Sequence, residues 1–439
     1  MTKPVFNLEA AVSPKVAVTP AGASGQASDR RAFVFLQGPP GPLFHRLALA
    51  MRSQGVAVER INICAGDRVD WPEAATNFRG RFRSWPVFFD NFLREHQITD
   101  ILLFGDCRPY HVTARRLAEL RGIRTHVLEE GYLRPHWMTL ELGGVNGYSP
   151  LNRDSAWFRE QAKRIPPEGF LPPVTASFQR RVRDTARHYI AVHAGAPAFP
   201  NYHTHRADPP LIEGLGWIWK GLRSLARSNA AEAQLKQIGD VPFFLLPLQL
   251  SGDYQIRNHS PFPDMPAATA YVIESFAAHA CGDAHLLIKA HPLDSSFFPW
   301  GRFIRKRARQ LGVGGRVHFI DGGDLDELAE RAEGMVCVNS TSGTLALAAG
   351  TPVCTLGDAI YNVPGLTFGG HLDEFWTDQQ PPEEGLYQAF RKVLVDHCLV
   401  RGGIASESAV TTLVESMTKK LCASSSLQSV ASRESTFAR

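Results

Sequence analysis

The chain has 439 residues, a length that predicts two or three domains. Hydrophobic residues make up 44% of it and charged residues 21%, which is ordinary globular usage and excludes a wholly disordered or fibrous protein. The formal net charge of +4 does not indicate nucleic-acid binding, although it suits an anionic substrate or an anionic membrane surface. The seven cysteines never occur in CxxC spacing, so we expect no disulfide framework, no zinc ribbon and a reducing cytoplasm.

Short apolar runs alternate with helical patterns along most of the chain, and this alternation predicts a parallel α/β fold. The first set of runs is AFVFLQ, VAVERINI, DILLF and THVLEE, and the second is FFLLPL, HLLIKAHP, RVHFID, MVCVNS and PVCTLG. A Pro-rich segment separates the two sets, so we predict two Rossmann-like domains facing each other across a cleft. No apolar run reaches the roughly 18 residues of a membrane-spanning helix, and none is expected.

The pattern divides the chain into six predicted segments. They are a disordered tail (1–29), an N-terminal Rossmann-like domain (30–150), a helical connecting segment (151–235), a C-terminal Rossmann-like domain (236–385), C-terminal helices (386–422) and a second disordered tail (423–439). Residues 216–227 of the connecting segment (GWIWKGLRSLAR) are basic and aromatic. They predict either a helix at an anionic lipid interface or an ordinary helix facing the core.

Polar residues follow two strands of the first domain, where open parallel sheets bind ligands. Gln37 and Gly38 begin a Gly/Pro turn after the first strand, and a glycine there lets a ligand approach the backbone; an ordinary tight turn is the alternative. Asp106, Arg108 and His111 follow DILLF. Asp106 is also well placed simply to cap the next helix.

A third strand of the first domain ends in two carboxylates. Glu129 and Glu130 close THVLEE, and Arg134 follows after a glycine turn. Glycosyl chemistry uses such a carboxylate as nucleophile or base, so the segment is a candidate acid/base set. A solvated turn is the alternative.

The second domain carries a candidate anion site. His291-Pro292 closes one strand, and a His at that position can donate to a phosphate. The hydroxyl-rich turn before an Ala-rich helix offers side-chain donors and free N–H groups, although a single Ser or Thr there would serve as an N-cap. The candidate substrate-binding residues of this domain are Gln249, Asp253, Gln255, His291, Pro292, Ser340, Thr341, Ser342, Gly343 and Tyr361. No complete metal-ligand set accompanies the histidines, so no metal is predicted.

Taken together, these motifs resemble the bacterial capsule polysaccharide biosynthesis proteins of the KpsS type. The resemblance runs from about Phe33 to Thr367 and rests on LQGPPGPLFHRLA, GDCRPYH, LEEGYLRPHWMTLE, PLQLSGDYQI, KAHPLD and VNSTSGTLALAAGTPVCTLGDAIYNVPGLTF. It implies a GT-B glycosyltransferase that moves Kdo (3-deoxy-D-manno-octulosonic acid) from CMP-Kdo to a phospholipid acceptor, commonly lyso-phosphatidylglycerol. It also implies a place on the cytoplasmic face of the inner membrane, with a KpsC-type transferase and the capsule export machinery as expected partners.

The resemblance further implies roles for individual residues. Kdo is β-linked in both donor and product, so net retention is expected, with Glu130 as nucleophile and Asp106 as the alternative nucleophile or the acceptor base. Arg108 and Arg134 are the candidates for pairing with the Kdo carboxylate. The related KpsC pattern has Asp where this chain has Glu130. Motifs like His291-Pro292 and Ser340–Ser342 bind CMP in bacterial sialyltransferases.

Two other functions compete with the Kdo transferase. One is a different GT-B enzyme, such as a nucleotide-sugar epimerase or a transferase that uses another sugar nucleotide. The other is a non-catalytic capsule assembly or export factor that binds polysaccharide or lipid.

Overall fold

The computed structural model describes residues 31–169, 171–204, 224–250, 254–292, 294 and 297–423. Several predictions from the sequence lie outside these residues: the tail 1–29, the second tail apart from residue 423, most of the basic aromatic segment 216–227, and Asp253. Gln255 is described only through its backbone, which is helical.

The described residues form twelve strands and fifteen α-helices. The strands are β1 (Ala32–Phe35), β2 (Ala57–Asn62), β3 (Thr76–Asn77), β4 (Asp100–Phe104), β5 (Arg124–Glu130), β6 (Trp137–Leu142), β7 (Phe243–Pro247), β8 (His285–Lys289), β9 (Val317–Ile320), β10 (Gly334–Cys337), β11 (Val353–Thr355) and β12 (Leu399–Arg401). The helices are α1 (Leu43–Ser53), α2 (Ala65–Asp70), α3 (Trp85–Glu95), α4 (Pro109–Leu120), α5 (Ser155–Arg164), α6 (Phe178–Ala194), α7 (Ser224–Ile238), α8 (Tyr254–His259), α9 (Met265–His279), α10 (Trp300–Gln310), α11 (Leu325–Arg331), α12 (Ser342–Ala349), α13 (Leu372–Asp378), α14 (Leu386–His397) and α15 (Glu407–Cys422).

The first sheet has seven strands in the order β12-β6-β5-β4-β1-β2-β3. The pairs from β5 to β3 are all parallel, and the apolar runs of β1 and β4 are typical of strands covered on both faces. Phe33, Val34 and Phe35 of β1 are fully buried at its centre. At the opposite edge, β12 pairs antiparallel with β6, an addition that the sequence did not predict.

The second sheet has five strands in the order β11-β10-β7-β8-β9, all paired in parallel. Its core is a single apolar cluster that includes Leu246, Ile288 and Val336 from the strands and Phe276 from α9. Strands that are buried on both faces and rich in β-branched and aromatic residues are typical of a central parallel sheet. The apolar runs that predicted strands in this part of the sequence fold as predicted.

The predicted α/β class with two Rossmann-like sheets is confirmed. Numbered within each sheet, the five parallel strands of both follow the order 3-2-1-4-5, the doubly wound arrangement. In such sheets, neighbouring strands whose connections run in opposite directions leave a crevice at their carboxyl ends, where ligands bind. The two crevices lie between β1 and β4 and between β7 and β10.

The chain forms two compact units, and neither is continuous in sequence. Unit 1 takes in the described residues up to 128 together with 175–204 and those from 402 onward, and unit 2 takes in those of 129–174 and 205–401. The bounds that the sequence suggested for the domains remain predictions. None of the described helices is both long enough and apolar enough to cross a membrane.

Candidate functional site

A cavity of about 180 Å³ opens at the crevice of the second sheet, and it is built wholly from unit 2. Strand β7 ends there in Pro247 and Leu248, strand β8 continues into its wall, and the turn before α12 closes the far side. Its lining residues are Tyr132, Arg134, Pro247, Leu248, Lys289, Ala290, His291, Pro292, Leu325, Ser340, Thr341, Ser342, Thr344 and Leu345. Six of the residues predicted from the sequence therefore lie around one space: Arg134, His291, Pro292 and Ser340–Ser342.

The turn before α12 presents hydroxyl groups to this cavity. Ser342 donates from its hydroxyl to the Ser340 hydroxyl over 2.8 Å and from its backbone N–H to the same oxygen over 3.2 Å. The N–H groups of Gly343 and Thr344 bond to the carbonyls of Ser340 and Thr341. The expectation of free N–H groups at this helix start is wrong in detail, because the turn satisfies them itself. The Ser342 hydroxyl donates to Ser340 and the Thr344 hydroxyl to the Thr341 carbonyl, so the Ser340 and Thr341 hydroxyls are the donors that this turn offers to the space.

Tyr361 supports this turn from behind. Its side chain is only 1% exposed, its hydroxyl donates to the Ser340 carbonyl, and its ring leaves no room for a side chain at Gly343, where an added Cβ would lie 2.4 Å from the hydroxyl oxygen. Tyr361 and Gly343, both predicted to bind substrate, do not line the cavity. They fix the position of residues that do.

Gln249 also lies behind the cavity wall. Its side chain is 5% exposed and exchanges two hydrogen bonds with Asn339, one from the Gln249 amide to the Asn339 side chain (2.8 Å) and one from the Asn339 N–H to the Gln249 carbonyl oxygen (3.1 Å). This pair ties the end of β7 to the end of β10. It holds the two strands of the crevice in register.

Lys289 is a cavity residue that the sequence analysis did not single out. It ends β8, its side chain is buried, and it lines the cavity. Burial lowers the pKa of its ammonium group, while Asp321 and Asp324 act in the opposite direction. The sequence signal for this residue was its place at the end of the apolar run HLLIK. A lysine that is buried with such a strand needs an anionic partner for its ammonium group.

The segment after β5 brings the acidic candidates close to the cavity. Arg134 lines it and forms an ion pair with Glu130 at 3.1 Å between Nη1 and Oε2. Glu129 accepts a hydrogen bond from the Asn146 side chain at 3.0 Å instead. The two adjacent carboxylates thus have different partners: Glu130 pairs with a residue of the cavity lining, and Glu129 bonds to Asn146.

Tyr132 anchors this segment. Its hydroxyl donates to buried Glu141 and accepts from the Asn146 N–H at 2.7 Å. Burial raises the pKa of Tyr132 well above its usual value, and the neighbouring Glu141 carboxylate adds to this effect. The phenol therefore stays protonated. Tyr132 and Thr344, which line the cavity, were likewise not predicted as site residues.

The other sequence candidates gather at the crevice of the first sheet, in unit 1. Arg108 donates to the Gln37 side chain at 3.0 Å, so the ends of β4 and β1 are bridged as the ends of β10 and β7 are in unit 2. An added Cβ at Gly38 would lie 2.8 Å from the Phe44 ring, so only glycine fits there. Asp106, the second catalytic candidate, is fully buried and paired with Arg115 at 3.3 Å.

His111 is buried behind the same crevice. Its Nδ1 lies 2.6 Å from the Gly105 carbonyl, and its Nε2 has no hydrogen-bond partner among the described residues. Burial, followed by the nearby Arg108 charge, lowers its pKa to about 3. The ring is therefore neutral at physiological pH, with its one proton on Nδ1.

One cluster of metal-ligand type was not predicted. Cys64, Asp67 and His188, all buried in unit 1, place one ligand atom each within 4.8 Å of one another. Asp67 already pairs with the Arg60 guanidinium at 3.3 Å. Burial and the Asp67 charge raise the pKa of the Cys64 thiol, which disfavours the thiolate that a metal would need.

Comparison with known proteins adds the family context. The model of the family described as "Capsule polysaccharide biosynthesis protein" matches residues 99–404. The capsule polysaccharide modification protein LipB of Neisseria meningitidis serogroup A is 33% identical over 390 residues, which cover 85% of this chain and 91% of that protein. The capsule polysaccharide export protein KpsS of Escherichia coli is 32% identical over 368 residues, or 83% and 94% of the two chains.

Solved structures are similar at a lower level. The Thermosulfurimonas dismutans KpsC, beta Kdo 2,7 transferase, aligns over 88% of this chain and 99% of that chain, with 14% sequence identity and a TM-score of 0.42.

Proposed function

Because the chain belongs to the capsule polysaccharide biosynthesis protein family, we propose that it is a glycosyltransferase that moves Kdo from CMP-Kdo to a lipid acceptor. The acceptor we propose is lyso-phosphatidylglycerol, and the product is the first residue of a poly-Kdo linker. The observation that carries the proposal is the cavity at the β7/β10 crevice, where a lysine, a histidine, an arginine and four serine and threonine residues converge.

The donor phosphate is the group that these side chains suit. CMP-Kdo carries one phosphate with a single negative charge, which a buried ammonium neutralises and which imidazole and hydroxyl donors hydrogen-bond. Lys289, His291 and the Ser340–Ser342 turn supply those groups from three different positions around the cavity. Removing Lys289 from water costs free energy, and a bound phosphate would compensate for that cost.

The sugar end of the donor suits the segment after β5. Kdo is a carboxylic acid, and a guanidinium such as that of Arg134 pairs with a carboxylate in a bidentate geometry. We propose that Glu130, now paired with Arg134, is the nucleophile. Its carboxylate attacks C2 of Kdo as the C2–O bond to CMP breaks with its electrons going to the phosphate oxygen. The acceptor hydroxyl oxygen then attacks C2 as its proton passes to solvent, and the bond between C2 and the Glu130 carboxylate breaks. The two inversions together give retention.

The test uses purified protein, CMP-Kdo and a lyso-phosphatidylglycerol analogue. The proposal requires CMP release together with a lipid that has gained one Kdo, detected by mass spectrometry. A protein that binds CMP-Kdo but makes no lipid-linked product would be a non-catalytic assembly or export factor. Turnover of a UDP-sugar in place of CMP-Kdo would identify a different sugar-nucleotide enzyme.

The same proposal predicts where in the cell the reaction takes place and which proteins act with it. A lipid acceptor places the protein at the cytoplasmic face of the inner membrane. A KpsC-type transferase would extend the linker, and the capsule export machinery would use the product. Fractionation of cells tests this placement, because the protein should be recovered with the inner membrane and not with the outer membrane.

A further inference from the structure

Helix α6 turns its polar residues inward. Arg180, Asp184 and His188 are spaced by four residues and therefore share one face. Arg180 pairs with Asp184 at 3.2 Å and with Glu407 of α15, while His188 pairs with Asp70 of α2 at 2.6 Å. His188 is 3% exposed, and an added Cβ at Gly66 would lie 2.5 Å from its ring. This face holds α6 against the rest of unit 1.

The opposite face of α6 is apolar and exposed. Phe178, Val182 and Ile190 are 64%, 48% and 68% exposed, and exposed Ala186 continues their row. At about 100° per residue, this row is centred roughly 180° from the buried polar face. The helix is therefore inverted relative to an ordinary surface helix, which buries its apolar side. Packing against unit 1 leaves Val182 and Ile190 exposed.

Positive charge flanks the exposed row. The helix carries four arginines and a single acidic residue, Asp184. Asp184 forms ion pairs with Arg180 and Arg183. Arg183 and Arg187 border the row on one side at the helical spacing, and the Arg187 guanidinium also donates to the Val69 carbonyl at 3.2 Å. The Arg183 side chain is 70% exposed. An apolar row beside a cationic border complements the interface of an anionic bilayer, where acyl chains lie beneath negative headgroups.

We propose that the outer face of α6, defined by Val182, Ala186 and Ile190 with the neighbouring Arg183 and Arg187, docks the protein on an anionic phospholipid surface. The apolar side chains enter the headgroup boundary and the guanidinium groups meet the phosphates. This surface is distinct from segment 216–227, which the sequence indicated as a membrane contact. It also does not depend on the proposed chemistry of unit 2.

Sedimentation of the full chain with vesicles tests the proposal. The parent protein binds phosphatidylglycerol vesicles and binds phosphatidylcholine vesicles much more weakly. The double variant Val182→Ser/Ile190→Ser needs at least a tenfold higher lipid concentration for half-maximal binding, and Arg183→Gln needs about a fivefold higher one. Millimolar glycerol phosphate leaves the parent bound, because a free headgroup offers no apolar boundary.

Leu120→Ser is the matched control, since Leu120 is also 68% exposed and lies in unit 1 but on another helix. It should sediment like the parent. All variants should bind free CMP as the parent does, which separates a failure here from a failure of the proposed function. Equal sedimentation of Val182→Ser/Ile190→Ser and parent overturns the proposal. So does a parent dimer in analytical ultracentrifugation that this variant converts to monomer, because the face would then be an interface between copies.

Discussion

His291 is the most direct residue-scale probe of the donor site, because it lines the cavity and contributes no buried apolar surface to the core. A hydrogen bond to a charged group is worth about 1.5–3 kcal/mol, so His291→Ala should weaken CMP binding roughly 10- to 150-fold. Titration calorimetry measures this. His279→Ala, at the end of α9 and outside the lining, is the control. Unchanged CMP affinity in a folded His291→Ala protein would refute the phosphate role.

The two adjacent glutamates allow a matched test of the proposed nucleophile. Glu130→Gln should keep CMP-Kdo binding and abolish transfer, because an amide is not a nucleophile at C2. Glu129→Gln should retain measurable activity, since the Glu129 carboxylate accepts a hydrogen bond from the Asn146 side chain and neighbouring side chains of an extended strand face opposite sides.

Intact-protein mass spectrometry gives the second readout for this pair. After exposure to CMP-Kdo alone, the parent should carry one added Kdo and Glu130→Gln none. An adduct mapped to Asp106, or full turnover by Glu130→Gln, would contradict the assignment.

His111 should make stability depend on pH. Its pKa is about 3 when folded against 6.5 for the free group, so the unfolded chain binds the extra proton between these values and stability falls as the pH drops through this window. At about 1.36 kcal/mol per unit, the His111 contribution between pH 7 and pH 5 is a loss of about 2 kcal/mol. Urea unfolding at both pH values measures it. His111→Asn, which does not titrate, should lose correspondingly less over that interval.

At the scale of elements, the turn before α12 depends on the absence of a side chain at residue 343. Gly343→Ala would push a methyl group into the Tyr361 ring, which is fully buried and has little room to move. Overpacking of this kind costs about 1–3 kcal/mol and displaces Ser340–Ser342, so both stability and CMP affinity should fall. In Gly282→Ala, where an added Cβ meets nothing within 4 Å, neither should change. Equal behaviour of the two variants would count against the supporting role of Tyr361.

The strands show what local sequence pattern can and cannot predict. DILLF is β4 to the residue, and FFLLPL and HLLIKAHP contain β7 and β8, because an apolar run buried on both faces is a strong local signal. Strand β12 has three residues and pairs with β6 more than 250 positions earlier in the chain. No local periodicity encodes such a pairing, and it was missed.

The sequence also predicted only part of the candidate site. Residue type and place at a strand end located His291 and Ser340–Ser342, because both are local properties. They did not distinguish Ser340, which lines the cavity, from Tyr361, which bonds to its carbonyl from behind. That distinction depends on the direction of a side chain in three dimensions. Lys289 was overlooked because it reads as the end of an apolar strand.

At the scale of the molecule, unit 1 is completed by the last described helix. Helix α15 packs on α1, and Leu413 at its centre is fully buried. Leu413→Ala should lower the free energy of unfolding by about 2–5 kcal/mol, as measured by denaturant titration, although Leu413 is far in sequence from the sheet of unit 1. Exposed Glu415→Ala, two residues later, should change it by no more than about 0.5 kcal/mol. Similar losses in the two variants would argue against α15 as part of the core.

Because unit 1 is built from separate stretches of the chain, its parts are synthesised at different times. Its central strand is among the first described segments to be synthesised, but the helix that covers α1 emerges only after residue 401. At 5–20 residues per second, the intervening chain takes on the order of tens of seconds to make. Throughout that interval α1, whose Leu43, Leu47 and Met51 are buried in the finished protein, lacks its packing against α15. The nascent N-terminal half is therefore expected to be a client of chaperones that shield apolar surface, whereas the parallel sheet of unit 2 is complete before synthesis ends.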